Sequence, residues 1–487
     1  MVHILFPSLL YSIGLIPILF NRNKQISPAF FGWTAFAWGS LLWVVAFIFC
    51  LYLSIPYTLI NIMTLIVIML AIAGILLRGS TQLPGRNELK KIWPAATLFF
   101  FTMAMAHLFD LGRASPDSLM QLLLANELTA VQIAERTLAE FGYWGPMLAA
   151  LHAPAAWFGY AYVTTLQAAF SITMIGSLGY FSYRGLMQRK MLPAQARLVA
   201  ILVAVFLLTV PFVNFQFYYI HNNIVAAMYL LIGVGALWLG LTNKSRTYHR
   251  ISILAFLGFS LTRTESILFA VVILAIALSS DRFPDRDWLI VLLPFTLFLA
   301  GWQLWLFFVA RPATHILTPE RILILLGVTI SFYLTIVVKG IPLLNRLLIR
   351  HLHQIMILVF VLATIIMLFV DPEHVFLSIK FLFLNLLTEG WSWWGIVWWI
   401  VVAWLLSFPY ASSIPQERLF AFGIVGYFML LMVVGFAHGP GHLGWSSSPN
   451  RMYLHILPVI FLYLTLKTAP LMMSNGWVSR KTPAVNQ

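Results

Sequence analysis

Residues 223–242 read NIVAAMYLLIGVGALWLGLT, twenty residues without a charge, bounded by Asn222 and Asn243, with Lys244 next. A transmembrane α-helix needs about 20 mostly apolar residues, and this stretch supplies them unaided. Outward from it, similar apolar runs cover 4–20, 30–53, 57–77, 92–109, 163–185, 197–213, 251–262, 266–280, 288–310, 321–338, 353–370, 391–408, 417–437 and 452–470. The 487 residues are 61% hydrophobic and 9% charged, with a mean hydropathy of +0.92. A soluble domain carries about 25% charged residues, so most of this chain is expected never to meet water. The expected fold is all-α: a polytopic transmembrane helical bundle of roughly a dozen or more spans.

The net charge of +14 does not indicate a nucleic-acid partner, because the basic residues sit in short loops between apolar runs. Arg113, Arg136, Arg263, Arg311, Arg321, Lys380 and Arg451 fall on one side, leaving 22 of the 29 Lys and Arg on the other. The positive-inside rule assigns the basic side to the cytoplasm, with the N-terminus outside and the C-terminus inside. Residues 4–20 lack a basic n-region and a small-residue cleavage site and are expected to be a retained span. Cys50 is the single cysteine, so no internal disulfide forms; it sits in an apolar run and is expected to be inert.

Polar groups collect at the outer ends of the apolar runs. Ser115-Pro116-Asp117-Ser118 follows the run ending at Phe109, in the longest outer loop, 110–162. Asp117 is either a helix N-cap or a general base facing an outward cavity. Residues 117–140 read as one or two amphipathic helices suited to the interfacial plane. Arg263 and Glu265 lie between two short apolar runs that read as half-helices around a polar break; they either pair locally or offer a guanidinium fork to phosphate. Tyr218, Tyr219, His221, Asn222 and Asn223 form either a capping turn or a rim for a hydroxylated substrate. In the loop 438–451, His438 and His442 are weak metal-ligand signals, and Arg451 either snorkels or binds phosphate. Trp391, Trp393, Trp394, Trp398 and Trp399 are expected to anchor an interfacial belt beside a second interfacial segment, 374–390. No Walker loop, GxGxxG, HExxH or paired CxxC is present.

In this order the groups resemble the GT-C superfamily of polytopic glycosyltransferases, which includes the protein mannosyltransferases and aminoarabinose transferases. Asp117-Ser118 followed by Leu124-Ala125 looks like the acidic motif of its first long outer loop. Gly142-Tyr143-Trp144-Gly145-Pro146 loosely matches a Gly-Tyr-x-Pro stretch. Arg263-Thr264-Glu265 resembles an Arg-Pro-Glu element, and Arg451-Met452-Tyr453 through Pro458 an Arg-Tyr element opening the last span. Asn222-Asn223 stands where many members carry Asp, and the three spans before residue 92 are additional.

The resemblance implies N-terminal extra helices over 1–91, a catalytic transmembrane module over 92–310 and C-terminal helices with the outer loop over 311–487. It implies inverting sugar transfer from a polyprenyl-phosphate donor at the outer face of a bacterial plasma membrane. The acceptor would be a lipid, glycan or protein, Asp117 the base, and Arg263, Arg451 and His442 the donor-phosphate ligands. Glu265, Tyr218, Tyr219, His221, Asn222 and Tyr453 would bind substrate. Membrane lipids are expected partners; no cofactor is implied beyond an optional divalent cation. The competing readings are a secondary transporter or flippase for a lipid-linked solute, and an O-antigen ligase or polymerase.

Overall fold

The computed structural model describes residues 1–20, 26–76, 85–114, 116–129, 141, 144–263, 266–270, 273, 285–309, 323, 326–327, 330, 334, 341–388, 391–407, 415–438 and 448–474. Among these the chain is helical, without a β-strand. The first half holds α1 (Val2–Leu15), α2 (Pro28–Tyr52), α3 (Leu59–Leu76), α4 (Arg86–Leu108), α5 (Pro116–Glu127), α6 (Met147–His152), α7 (Leu166–Gln188), α8 (Pro193–Leu208) and α9 (Pro211–Phe215). The second holds α10 (Asn222–Asn243), α11 (Arg246–Ser260), α12 (Asp285–Val309), α13 (Pro342–Val370), α14 (Pro372–Leu387), α15 (Trp391–Trp394), α16 (Val397–Ser407), α17 (Pro415–His438) and α18 (Ser448–Ser474). Proline opens many of them, where its missing N–H is no loss and its fixed φ suits the first turn. At α14, Asp371 adds a side-chain cap, accepting from the His374 N–H at 3.0 Å.

Four helical stretches among the described residues are long and apolar enough to cross a membrane: Val2–Leu19, Pro28–Tyr52, Asn222–Asn243 and Arg451–Pro470. Other expected spans are shorter or shifted, for local reasons. The run 197–213 is divided because Pro211 cannot continue α8 and starts α9 instead. The run 251–262 belongs to a helix that begins earlier, in the basic turn of Arg246 and Arg250. The run 391–408 breaks at the turn between α15 and α16.

Helix α10 is the centre of the bundle. Every residue from Asn222 to Leu241 is buried, against α7, α11, α17 and α18. The Tyr229 hydroxyl donates to the Ala37 carbonyl at 2.7 Å and ties α10 to α2. Helices α1 and α2 cross closely because Gly14 and Gly39 lack a Cβ. An added methyl at Gly39 would fall 1.8 Å from the Leu10 carbonyl oxygen, the small-residue contact by which membrane helices approach.

Two sequence expectations need correction. Trp394 and Trp398 are not belt anchors: both are buried, packed in edge contacts around Tyr453, because α15 and α16 fold onto α18. Arg451 does not snorkel, since its side chain is buried in the bundle. Within the segment 117–140, read as one or two amphipathic helices, Pro116–Glu127 forms α5, packed on α6 and on the 3₁₀ turn Ala153–Phe158; residues 130–140 lie outside the described residues. Cys50 is buried, as its apolar run implied.

The two ends of α10 differ. At the Asn243 end, Gln188 donates to Asn243 at 3.1 Å and Arg189 pairs with Glu417. The Asn222 end carries most of the polar residues singled out in the sequence.

Candidate functional site

The site is assembled around the turn into α10. Residues 216–221 leave α9 and pair with the chain that has just left α4. The Arg113 N–H donates to the Tyr218 carbonyl at 2.8 Å, and the Ile220 N–H donates to the Arg113 carbonyl at 3.3 Å, an isolated parallel bridge. Gly112 sits against the Thr164 backbone, where a Cβ would meet the carbonyl oxygen at 2.1 Å. The start of the long loop 110–162 is thereby pinned to the Tyr218–Asn223 turn.

Asp117 follows four residues later, as the second residue of α5. It therefore lies within the first turn rather than at the N-cap, with Pro116 opening the helix. A carboxylate there suits the positive end of the helix dipole. Four residues span at most about 14 Å, so the Asp117 backbone stays close to Arg113. Its carboxylate lies outside the described side chains, and Glu265 and His442 lie outside the described residues.

Two further segments meet at the same turn. The Asn222 side-chain amide donates to the Trp144 carbonyl at 2.9 Å. The next residue, Gly145, has φ +72, and a Cβ on it would lie 2.5 Å from the Leu261 carbonyl oxygen and 2.7 Å from that of Thr262. The loop before α6 is thus wedged between α10 and the residues leading into Arg263. The polar break after α11 is real: α11 stops at Ser260, Thr262 turns back to Phe259 by a hydroxyl bond of 2.6 Å, and helix resumes at 266–270.

Arg263, Arg451 and His455 all lie within electrostatic reach of His221, and all four are buried. Burial, reinforced by Arg451, Arg263 and His455 in that order, holds the His221 imidazole well below its ordinary pKa of 6.5, because charging it would desolvate a cation among cations. Its tautomer follows from the cap. His221 Nδ1 accepts from the Asn223 N–H at 3.3 Å, so the proton of the neutral ring is on Nε2. That Nε2–H, the Asn222 Oδ1 and the Asn223 Nδ2 are buried without a hydrogen-bond partner among the described residues. Buried polar atoms are nearly always satisfied, by protein, water or ligand; these three cluster around a single turn.

Helix α18 closes the site. Its His455 lies one turn beyond Arg451, on the same face. His455 Nε2 is 3.3 Å from Asn223 Oδ1, and Nδ1 is 2.8 Å from the Tyr427 hydroxyl of α17. Tyr427 also donates to the Met452 carbonyl at 3.1 Å, and its ring stacks on Phe269 at 4.2 Å, just past Arg263. The sequence signal for His455 was a polar side chain four residues from Arg451 inside a span, a costly placement. Tyr427 and the Arg113 bridge left no comparable signal.

The remaining expected residues are placed as follows. Tyr218 and Tyr219 are half-buried, with the Tyr219 ring parallel to His221 at 6.0 Å. Tyr453 is turned toward α14, where its hydroxyl donates to the Leu382 carbonyl at 3.4 Å, and packs beside Trp398 and Phe428. Among the described residues, no group of three or more His, Cys, Asp or Glu is placed to hold a metal ion.

No family model, curated protein or solved structure matches the chain.

Proposed function

We propose that the chain is a membrane glycosyltransferase that takes a sugar from a polyprenyl-phosphate donor. The observation that carries this reading is the burial of Arg263, Arg451 and neutral His221 around three unsatisfied polar atoms at one end of the bundle. Two guanidinium groups in a low-dielectric site suit a phosphate, and hydrogen-bonding groups without partners suit sugar hydroxyls. The opposite end carries Arg189, Lys190, Lys244 and Arg246, which the positive-inside rule places in the cytoplasm. The site then opens on the extracytoplasmic face, in keeping with a bacterial plasma membrane.

In this reading the acceptor hydroxyl or amine attacks the anomeric carbon and forms the new glycosidic bond. Its proton passes to Asp117, and the bond from the anomeric carbon to the phosphate oxygen breaks. The electron pair leaves on that oxygen, stabilised by Arg263 and Arg451, with His442 as a further ligand. Such preorganised electrostatic stabilisation is usually the largest catalytic term. Direct displacement inverts the anomeric centre. His221, as an Nε2–H donor, together with Asn222 orients the sugar, with Tyr218, Tyr219 and Glu265 at the rim. Tyr453, occupied with Leu382, supports α18 rather than the substrate.

The test is reconstitution with a polyprenyl-phosphate sugar and a range of lipid, glycan and peptide acceptors. Asp117→Asn is expected to lower transfer by about 10²–10⁴-fold, the worth of general-base help, without loss of folded protein. Full transfer by that variant would remove Asp117 as the base. Movement of the lipid-linked sugar across the bilayer with no covalent change would replace this reading with a flippase.

A further inference from the structure

A second site lies away from the polar cluster and does not depend on the sugar-transfer reading. Between α8 and α16, with α18 as its floor, runs a groove of about 250 Å³. Val203 and Phe206 form one wall, Ile400 the other, and Leu464, Thr465 and Thr468 the floor. Each helix contributes side chains three or four residues apart, so each presents a single stripe. The lining offers no polar atom to a ligand. Thr465 and Thr468 turn their hydroxyls to the carbonyls of Phe461 and Leu464, at 2.7 and 2.8 Å. The groove is open along the side, where Phe206 and Ile400 form an exposed rim.

Its length and its ends say what fits. Along α18 the floor extends from Phe461 to Met472, about 16 Å at 1.5 Å per residue. That is about half of the ~30 Å hydrocarbon core of a bilayer, the depth of one leaflet. Toward Arg451, the Phe206 and Phe461 rings meet with centroids 5.6 Å apart and narrow the passage. At the opposite end, Val199 and Met472 pack on a cluster of Leu186, Met191, Ala196 and Ala469. This cluster is built on the turn that carries Arg189 and Lys190, and Lys467 lies within electrostatic reach of Arg189. Arg189 is paired with Glu417, so Lys190 and Lys467 weight that end positive.

We propose that the groove holds one acyl chain of an anionic phospholipid from the leaflet on the basic side, with its phosphate against Lys190 and Lys467. A hydrocarbon is what an apolar lining selects, since any polar ligand would be desolvated there without compensation. The cations beyond that end, on and beside the Arg189 turn, select the headgroup. An isoprenoid chain coming down from Arg451 would have to pass the Phe206–Phe461 contact, whereas an acyl chain enters along the open side, beside the basic end.

Native mass spectrometry of the full chain in micelles containing equal amounts of phosphatidylglycerol and phosphatidylcholine, with identical acyl chains, tests this. One phosphatidylglycerol should be retained in preference to phosphatidylcholine. Lys190→Gln and Lys467→Gln should each lower that preference about fivefold, the worth of one cation near a lipid surface. Val203→Trp and Ile400→Trp, on different walls and both at partly exposed positions, should fill the groove and reduce retention of both lipids by at least tenfold. Leu254→Trp, on an exposed apolar face elsewhere, should leave retention unchanged. Equal retention of the two lipids by the unaltered chain overturns the proposal. So does undiminished phosphatidylglycerol in a folded groove-filled variant. Selective loss of an added polyprenyl phosphate in Val203→Trp, with phosphatidylglycerol unaffected, assigns the groove to an isoprenoid instead.

Discussion

Replacing Gly145 with alanine tests how the site is held together. Gly145 has φ +72, and a left-handed conformation costs an ordinary L-residue roughly 1–2 kcal/mol. Gly159 has a similar φ of +77 with nothing within 4 Å of a Cβ, whereas at Gly145 the added methyl meets Leu261 and Thr262 carbonyl oxygens at 2.5 and 2.7 Å. Those atoms are backbone and cannot rotate aside, so an overpacking penalty of about 1–3 kcal/mol adds to the backbone strain. Gly159→Ala should therefore lose about 1–2 kcal/mol and Gly145→Ala about 2–5 kcal/mol. The chain provides its own reporter: Cys50 is its only cysteine and is buried, so a fluorogenic thiol reagent reads unfolding at one position. With both variants in the same detergent, the Gly145→Ala midpoint should lie clearly below that of Gly159→Ala. Equal midpoints, or the reverse order, would refute the wedge between α6, α10 and the Arg263 segment.

Other expectations follow from single contacts. His152, in the segment 110–162, is driven by burial from 6.5 to about 3. Above pH 6.5 it is neutral both folded and unfolded; below that the unfolded chain takes up a proton that the folded one refuses. Stability should fall with decreasing pH by up to about 1.4 kcal/mol per unit from this residue, and the loss should continue to about pH 3. His152→Asn, which keeps an acceptor for the Val163 N–H, should flatten that slope in denaturant titrations between pH 7 and 5. Tyr427→Phe removes the hydroxyl shared by His455 and Met452 and should cost about 1–3 kcal/mol, read as a lower Cys50 midpoint. Arg451→Ala should raise the donor KM about tenfold or more while leaving the acceptor KM nearly unchanged, as loss of a charged hydrogen-bonding partner implies; an unchanged donor KM counts against the phosphate role.

The parts of this protein that were legible in its sequence are those decided by one segment alone. The run 223–242 had to be a buried helix because nothing in it could face water, and α10 is that helix. The break at Arg263 was visible because a guanidinium interrupts two apolar stretches. What was not legible depends on pairs. Trp394 and Trp398 look like interfacial anchors until α18 is folded against them. His455 reads as one polar letter in an apolar run, and gains meaning only beside Asn223 and Tyr427. The Arg113 bridge is made by backbone groups, which every residue carries, so no side chain announces it. Gly145 stood out as part of a loose motif, but its reason, a carbonyl pair from a segment more than a hundred residues away, is geometric.

The bond between Asn223 and His455 joins residues 232 positions apart. Chains are synthesised at about 5–20 residues per second, so α10 waits roughly 12–46 s in the membrane before its partner is made. During that interval the Arg263 segment arrives, 42 residues after His221, but the side that carries Arg451 is still missing. A nascent chain released shortly before residue 455 has made most of its helices yet cannot form this bond. Products that end there should therefore be membrane-bound and recognisable to quality control by the polar turn they leave open.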